Sequence, residues 1–194
     1  MIAGVVLAAG EGSRFVASAD GGSLGHKLTV PFRGRPLSAW ALEAAAGAGF
    51  NQLLVVTGAV DLTDLITDAV GDAATILHNP DWAAGQATSL AVAVAAARAA
   101  GHRAVVVGLA DQPLIPTAAW RAVGAAAGDI VTATFGGKQR PPVKLERTVW
   151  DDLPTAGDVG ARTLMQLRPE LVSELPCKGN PVDIDTVEDL QRWS

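Results

Sequence analysis

Residues 2–15 read IAGVVLAAGEGSRF, and this stretch decides the fold that the sequence predicts. The run from Ile2 to Leu7 is apolar and rich in β-branched residues, as expected of a parallel strand buried on both faces. The loop that follows contains two glycines, which let backbone N–H groups turn inward on an anion. Arg14, and Lys27 further along the chain, then supply positive charge for a phosphate chain. A tight turn without a ligand is the alternative interpretation of this loop alone.

Two well-known phosphate-binding loops do not match this sequence. The dinucleotide fingerprint requires glycine at its first, third and sixth positions; Gly10 and Gly12 fit, but Phe15 occupies the sixth. The Walker loop requires Gly-Lys followed by Ser or Thr, whereas Lys27 is preceded by histidine and followed by leucine. We therefore expect neither a Rossmann dehydrogenase nor a P-loop NTPase.

Strand-like and helix-like segments alternate along the rest of the chain. Strands are predicted at 2–7, 53–57, 74–77, 104–109, 130–134 and 171–175, and helices at 36–47, 61–70 (with Asp61 as N-cap), 88–100, 116–127, 160–167 and from 187 onward. This alternation predicts an α/β fold with three layers, in which helices cover both faces of a mostly parallel sheet. Residues 16–25 are predicted to form a mobile loop and residues 135–144 to lack regular structure, because both are rich in glycine or proline. No change of composition marks a second domain, so residues 1–194 are predicted to form one domain.

Composition and charge exclude several function classes. The net charge of −5 and the aromatic content of 5% argue against a nucleic-acid partner, which would require a basic face and stacking side chains. No apolar stretch reaches the roughly 18 residues of a membrane span. The single cysteine, Cys177, cannot form an internal disulfide, which fits a reducing compartment. We expect a cytoplasmic protein without a membrane segment.

Carboxylates near two chain positions predict a divalent metal site. Asp111 follows the strand that ends at Leu109, where a carboxylate is well placed to hold a cation; capping of the next turn is the alternative role. Asp183 and Asp185 alternate with apolar residues, so in an extended segment both face one way. Asp185 or Thr186 is alternatively an N-cap of the terminal helix. Mg²⁺ usually takes one or two protein carboxylates together with substrate phosphates, so one ligand from each region suffices.

The histidines do not suggest a catalytic base. His26, His78 and His102 lack metal-ligand spacing, and each is predicted to be structural or on the surface. The serine and cysteine residues likewise lack a convincing base partner. Phosphoryl and nucleotidyl transfer therefore fit best, because a phosphate nucleophile is already anionic and catalysis depends on positioning and charge neutralisation.

An ordered set of motifs extends over nearly the whole chain. The motifs are LAAGxGxRF at 7–15, Lys27, Asn79-Pro80, Gly85-Gln86, Ser89-Leu90, ADQP at 110–113 and DIDT at 183–186. Together they resemble the nucleotidyltransferases of the molybdenum cofactor cytidylyltransferase type, relatives of the molybdopterin-guanine dinucleotide synthases. The resemblance implies a glycosyltransferase-A-like, Rossmann-type fold. It also implies transfer of a nucleotidyl group from a nucleoside triphosphate to a phosphorylated acceptor, with molybdopterin as the favoured acceptor and with Mg²⁺ or alternatively Mn²⁺.

The same resemblance implies a role for each site residue. The catalytic residues are Arg14, Lys27 and Asp111. The nucleotide-binding residues are Leu7, Ala8, Ala9, Gly10, Gly12, Ser13, Arg14, Lys27, Asn79, Gly85, Ser89 and Asp111. The acceptor-binding residues are Arg140, Pro142, Asp158, Gly160 and Arg162, and the metal ligands are Asp111 with Asp183, Asn180 or Asp185.

The resemblance also bears on the substrates and leaves alternatives. The Leu-Ala-Ala-Gly start of the loop resembles the branch that uses CTP, whereas the branch that uses GTP has Leu-Ala-Gly-Gly. Residues 16–26 lengthen the family's short spacing between Arg14 and Lys27, either as a lid that places Lys27 or in a non-catalytic nucleotide-binding or cofactor-delivery protein. A sugar phosphate or phospholactate is the alternative acceptor, and a dinucleotide-dependent oxidoreductase is disfavoured by Phe15. A molybdoenzyme or a chaperone is a candidate protein partner.

Overall fold

A computed structural model describes residues 1–18 and 25–194. Its strands are β1 (Ile2–Ala8), β2 (Pro31–Phe32), β3 (Arg35–Pro36), β4 (Gln52–Thr57), β5 (Ala74–His78), β6 (Ala104–Leu109), β7 (Ile130–Phe135), β8 (Lys138–Glu146) and β9 (Val172–Pro176). Its α-helices are α1 (Ser13–Ser18), α2 (Leu37–Ala46), α3 (Thr63–Val70), α4 (Gln86–Ala99), α5 (Thr117–Ala125), α6 (Gly160–Leu167) and α7 (Val187–Trp193). None of these helices is long and apolar enough to cross a membrane.

One seven-stranded sheet organises the molecule, with the strand order β5-β4-β1-β6-β8-β7-β9. Neighbouring strands are parallel except where β8 pairs with β6 and with β7. The prediction of a mostly parallel sheet is therefore confirmed. Strands β2 and β3 form a separate small hairpin between the glycine loop and α2.

Helices cover both faces of the sheet, which confirms the three-layer α/β/α architecture. Buried residues of α2, α3 and α5 share one apolar cluster with alternate strand residues, and those of α4 and α6 share a second cluster with the others. Among the described residues, Trp120 of α5 is the largest fully buried side chain, and it lies against β6 at Gly108, where an added Cβ would come within 2.4 Å of the indole ring. Burial of this kind is the main favourable contribution to folding.

A third apolar cluster lies beside the glycine loop. It joins Phe15 of α1 to Phe32 and Leu37, and to Ile184 just before α7. Phe15 is fully buried, so the position that would need glycine in a dinucleotide fingerprint is a core position here. The two ends of the chain are therefore held together next to the loop.

Residues 135–144 correct one sequence prediction, because most of them belong to a regular antiparallel strand. Gly136 and Gly137 have φ values of 57° and 77° and form the two-residue turn between β7 and β8. The pairing register with β7 shifts so that Thr132 faces Val143 and Ala133 faces Arg140. The two prolines at 141–142 fall in this shift, where the ladder does not require their missing N–H groups.

Two smaller predictions also change. Residues 16–18 of the predicted mobile loop belong to α1, and residues 19–24 lie outside the described part of the chain. Asp61 is not the N-cap that the sequence predicted, because α3 begins at Thr63 and its N-cap is Leu62; Asp61 Oδ1 only accepts the N–H of Thr63, at 2.9 Å, from one residue before the cap. The other predicted elements are present, with ends that differ by a residue or two.

Candidate active site

The candidate site lies at the carboxyl ends of β1 and β6, at the topological switch point of the sheet, where the strand order reverses. From β1 the chain proceeds to β4 and β5 on one side of the sheet, and then to β6 on the other side of β1. Ligands of open parallel sheets bind in the crevice formed at such a reversal. The N–H of Ala110 donates to the carbonyl of Leu7 at 3.1 Å, which joins the start of the glycine loop to the segment that carries Asp111.

An ion network connects residues that are far apart in the sequence. The Nζ of Lys27 donates to Asp111 Oδ2 at 2.7 Å and to Asp185 Oδ1 at 2.8 Å, and Arg14 Nη1 donates to Asp185 Oδ2 at 2.8 Å. Lys27 is buried, whereas the Arg14 side chain is 78% exposed. Burial opposes the charge of Lys27, but Asp111 and Asp185 outweigh it and raise the pKa of the lysine. Lys27 is therefore an ammonium ion at neutral pH.

Short structural elements place Lys27 and Asp185 in this network. Lys27 opens a short 3-10 turn (Lys27–Thr29), and Asp185 directly precedes the N-cap of α7. That N-cap is Thr186, which forms a capping box with Asp189, so one of the two alternatives for this segment is confirmed. Ile184, between the two predicted metal ligands, is fully buried and donates its N–H to the carbonyl of Asp111 at 3.0 Å.

Gln112 is a site residue for which the sequence predicted no role. Its side chain is 2% exposed, and its Nε2 donates to Asp183 Oδ1 at 2.8 Å. Burial raises the pKa of Asp183 and the nearby Asp111 carboxylate adds to this effect, while the hydrogen bond from Gln112 opposes it. Gln112 therefore holds a carboxylate whose charged form is disfavoured by burial and by the neighbouring Asp111. The available signal was its position directly after Asp111.

The carboxylates fit a divalent cation. Asp111 Oδ1 is buried and has no hydrogen-bond partner among the described residues, and Asp183 is close enough to repel it. Carboxylate oxygens are the preferred ligands of Mg²⁺ and Mn²⁺. The described residues contain no group of three or more acidic, histidine or cysteine side chains that could surround a metal. A cation here would therefore take one or two carboxylates together with ligand oxygens. The Oδ1 of Asn180, a further predicted ligand, already accepts the N–H of Val182 at 3.2 Å.

The predicted nucleotide-binding residues fall into two groups. Gly10, Ser13 and Arg14 are exposed, whereas the side chains of residues 7–9 are buried in the core, so residues 7–9 can offer a ligand only backbone atoms. Asn79 is 1% exposed and donates to Ser89 Oγ at 2.9 Å. These two buried side chains bond to each other, and their contact with a base or ribose remains a prediction.

Gly85, a predicted nucleotide-binding residue, packs against the segment that carries the predicted acceptor-binding residue Asp158. Its φ of 106° suits glycine alone, and an added Cβ would come within 2.4 Å of the Gly157 carbonyl carbon. The N–H of Ala87 donates to Gly157 O at 2.9 Å, and the N–H of Gly157 donates to Ala84 O at 3.0 Å. The segment with the predicted acceptor-binding residue Asp158 is thereby fixed against the loop before α4.

The remaining predicted acceptor residues differ in exposure. Arg140 and Arg162 are exposed, whereas Pro142 and Gly160 are buried. Arg140 lies near the start of β8, which is at the same edge of the sheet as the carboxyl ends of the parallel strands because β8 is antiparallel. Its Nη1 donates to the carbonyl of Gln139 at 2.9 Å. The contact of these residues with an acceptor remains a prediction.

His26 is the second residue without a predicted site role, and it contacts the glycine loop. Its Nε2 lies 3.0 Å from the carbonyl oxygen of Gly10. The sequence offered one signal for this contact, namely that His26 directly precedes Lys27.

Comparisons with known proteins identify the family of this chain. The family model of the MobA-like NTP transferase domain matches residues 4–174. A curated relative, nicotine blue oxidoreductase of Paenarthrobacter nicotinovorans, is 29% identical, and the alignment covers 98% of this chain and 95% of the relative. The family and the fold that the sequence predicted are thereby confirmed.

Solved structures of two proteins are similar to this chain over almost their full length. Rv0371c of Mycobacterium tuberculosis superposes with a TM-score of 0.79 at 29% identity, covering 98% of this chain and 96% of that one. The same protein has also been solved in complex with manganese, and that structure superposes with a TM-score of 0.72. A nucleotidyl transfer enzyme from Methanothermobacter superposes with a TM-score of 0.81 at 25% identity, covering 99% of this chain and 95% of that one.

Proposed function

This chain belongs to the MobA-like NTP transferase domain family and is a nucleotidyltransferase, and from that premise we propose its substrates and site residues. The enzyme transfers CMP from CTP, and less readily GMP from GTP, to a phosphorylated small-molecule acceptor, for which molybdopterin is our first choice. The observation that carries this proposal is the convergence of Lys27, Arg14, Asp111 and Asp185 beside the glycine loop. We treat residues 1–194 as one domain and place the enzyme in the cytoplasm, consistent with the free thiol of Cys177.

In the proposed reaction, a phosphate oxygen of the acceptor attacks the α-phosphorus of the triphosphate. The bond between the α-phosphorus and the bridging oxygen breaks, and pyrophosphate leaves with that oxygen. The attacking oxygen is already anionic, so no side chain has to remove a proton. Lys27 and Arg14 stabilise the negative charge that moves onto the β-phosphate, which is the main catalytic task in this class of reaction.

We propose that Mg²⁺ binds at Asp111, with Asp183, Asp185 or Asn180 as the second protein ligand and Mn²⁺ as a substitute. Two observations support this: Asp111 Oδ1 has no hydrogen-bond partner among the described residues, and the Asp111 carboxylate repels that of Asp183. The metal would supply positive charge to the phosphate oxygens. By formal charge, the two cationic and three carboxylate side chains leave the protein side with one more negative charge than positive. This excess suits a cation-bound triphosphate better than a free one.

The substrates are assigned by family resemblance. The Leu-Ala-Ala-Gly start of the loop favours cytosine over guanine. Asp158, Gly160 and Arg162, together with Arg140 and Pro142, would form the acceptor side. The support from the structure is that the segment around Gly157 is bonded to the loop at Gly85, so the two proposed subsites are neighbours. A sugar phosphate or phospholactate is the alternative acceptor.

Pyrophosphate release tests the proposal. Purified protein is incubated with CTP or GTP, Mg²⁺ and one acceptor at a time: molybdopterin, a sugar 1-phosphate or phospholactate. We expect release with molybdopterin, faster from CTP than from GTP, and loss of release in Asp111→Ala. Wild-type protein that releases no more pyrophosphate than Asp111→Ala with any acceptor would contradict the proposal.

A second candidate function rests on the relative from Paenarthrobacter, whose name describes an oxidoreductase and whose alignment covers 98% of this chain. An oxidoreductase of that kind would need an electron donor, for which NADH and NADPH are the reagents to try. Oxidation of the nicotinamide that requires both the protein and nicotine blue would favour this candidate. Absence of such oxidation, together with pyrophosphate release in the first assay, would favour nucleotidyl transfer.

A further inference from the structure

The imidazole of His26 bridges the glycine loop and the segment that carries Lys27. Its Nδ1 accepts the N–H of Leu28 at 3.3 Å, so Nε2 carries the ring hydrogen and donates it to the carbonyl of Gly10 at 3.0 Å. Burial lowers the pKa of His26, the Gly10 carbonyl opposes this, and the charge of Lys27 adds to it. The neutral ring can accept the Leu28 N–H at Nδ1 and donate to the Gly10 carbonyl from Nε2 at the same time.

The backbone around His26 is fixed independently of its ring. Its carbonyl accepts both the N–H and the Oγ1–H of Thr29, each at 2.8 Å. On the other side of the contact, Gly12 has a φ of 71°, and an added Cβ there would come within 3.1 Å of the Lys27 Cβ. The glycine loop and the Lys27 segment therefore touch at two points, at Gly12 and at the ring of His26.

The contact at Gly10 matters because of the charge of the proposed ligand. A loop that binds phosphate presents its N–H groups, and a carbonyl oxygen without a donor would repel the phosphate if it turned toward it. The Nε2–H of His26 occupies the Gly10 carbonyl and thereby restricts the orientation of the adjoining peptide. The same ring is held by Leu28, one residue after Lys27, so the loop and the ammonium group keep a fixed relation.

We propose that His26 is a positioning residue for the triphosphate: it holds the Gly10–Gly12 loop relative to Lys27 so that both contact the same phosphate chain. The inference rests on the proposed nucleotidyltransferase function and adds a residue to it. It predicts that His26 contributes to the binding of the β- and γ-phosphates and contributes little to the binding of the nucleoside part. A purely local role, capping the 3-10 turn through Nδ1, is the competing explanation.

Two conservative variants separate these explanations, because each retains one of the two hydrogen bonds of the ring. Glutamine places an amide N–H near the position of Nε2 and can still reach the Gly10 carbonyl. Asparagine places an acceptor near the position of Nδ1 and retains only the bond to Leu28. His26→Ala removes both bonds and serves as the reference for complete loss.

Calorimetric titrations with CTP and CMP in Mg²⁺, repeated with GTP and GMP, give the test. For H26N and H26A we expect the dissociation constant for the triphosphate to rise about tenfold, with the monophosphate unchanged within about threefold, as for the loss of one orienting hydrogen bond. H26Q should bind the triphosphate within about threefold of wild type. Thermal unfolding of each variant checks that it is folded.

Each other outcome overturns the inference. If H26N binds triphosphate like wild type while H26Q is weak, His26 only caps the turn. The positioning role also fails if triphosphate and monophosphate affinities fall in parallel, or if H26Q and H26N both match wild type. Wild-type protein that binds neither CTP nor GTP would contradict the proposed function as well, which distinguishes that failure from a failure at His26 alone.

Discussion

Lys27 is the residue on which the candidate site depends, because its buried Nζ is shared between carboxylates from two distant parts of the chain. Burying the lysine ammonium removes it from water at a cost in free energy, and its two carboxylate partners offset that cost and hold the ammonium in place. Without a ligand, Nζ is bound by Asp111 and Asp185, so the phosphate oxygens of an arriving triphosphate have to compete with these two carboxylates. Binding of a triphosphate must rearrange these bonds, whereas the exposed Arg14 can turn toward the ligand at little cost.

Substitution of Lys27 by methionine removes the charge and keeps most of the side-chain volume. We expect the rate of nucleotidyl transfer to fall by about a hundredfold or more, as for the loss of one group that stabilises the transition state. We also expect a loss of about 1–3 kcal/mol in the free energy of unfolding, because Asp111 loses a buried partner. Steady-state kinetics and urea denaturation measure the two effects.

The matched control for Lys27→Met is Lys138→Met, since Lys138 is exposed and near the turn between β7 and β8. The control should retain its free energy of unfolding within about 0.5 kcal/mol, as is usual for surface substitutions. Equal losses of stability in the two variants would show that Lys27 has no special environment.

At the residue level, the sequence singled out side chains whose type itself implies the chemistry, and their roles in the site remain predictions. Arg14, Lys27, Asp111 and Asp185 meet in one network, as a cation-and-carboxylate site for phosphate would require. Gln112 and His26 were missed because an amide and an imidazole satisfy many structural needs equally well. Only the contacts with Asp183 and Gly10 give those two residues a specific role.

At the scale of elements, α7 fixes one side of the site through its first turn. Thr186 accepts the N–H of Asp189 at 3.1 Å, and Asp189 Oδ2 accepts the N–H groups of Thr186 and Asp185 at 3.1 Å and 3.2 Å. The capping box therefore sets the backbone of the residue that binds both Lys27 and Arg14.

Loss of the Thr186 hydroxyl should affect stability and the site together. For Thr186→Ala we expect about 1 kcal/mol less free energy of unfolding, the usual effect of losing an N-cap. We also expect weaker Mn²⁺ binding, because Asp185 is less well ordered. Chemical denaturation and a Mn²⁺ titration followed by electron paramagnetic resonance measure the two effects. Thr186→Ser keeps the cap and should resemble wild type; a serine variant as impaired as alanine would contradict this explanation.

Gly85 provides a second prediction at this scale. Gly85→Ala places a Cβ against the backbone of Gly157 in a conformation with positive φ, so the loop before α4 has to move. We expect a loss of about 1–3 kcal/mol in the free energy of unfolding and a higher KM for the acceptor. Gly136→Ala is the control: it also has positive φ, but no atom lies near its Cβ. A normal acceptor KM in Gly85→Ala would contradict the role of this junction.

The elements that the sequence predicted correctly have strong periodic or apolar signals, as β1, β4 and β6 do. Strand β8 was missed because Pro141 and Pro142 normally exclude a strand. The structure places them in a register shift with β7, beyond the last pair that β8 forms with β6. The pair Gly136-Gly137 between two strand-like runs was the signal for a hairpin, but a register shift depends on the partner strand and is not visible from local sequence.

At the scale of the whole molecule, the two ends of the sheet have different tasks. The carboxyl edge carries the ion network, whereas the opposite edge carries His102, which is 2% exposed and whose Nε2 lies 2.8 Å from Gln52 Oε1. Burial lowers the pKa of His102, the α-amino group of Met1 adds repulsion, and the Met1 carbonyl opposes both. The folded state therefore prefers the neutral ring.

This preference makes stability depend on pH at a distance from the site. Because the folded pKa lies below the unfolded one, the unfolded state binds the proton more readily. The contribution of His102 to stability is complete above its ordinary pKa and is lost as the pH falls through the folded pKa. Urea denaturation at several pH values from about 5 to about 8 should show wild type losing stability relative to His102→Gln as the pH falls. A constant difference between the two proteins would contradict this assignment.

The central claim is that the site at the carboxyl ends of β1 and β6 catalyses attack of a phosphorylated acceptor on the α-phosphorus of a nucleoside triphosphate. The most direct measurement uses CTP labelled at the α-phosphorus, with molybdopterin and Mg²⁺, and compares wild type with Asp111→Asn. We predict that label passes to the acceptor in amounts equal to the pyrophosphate released, and that Asp111→Asn transfers little of it. Release of inorganic phosphate without labelled acceptor, or equal transfer by the two proteins, would contradict the claim.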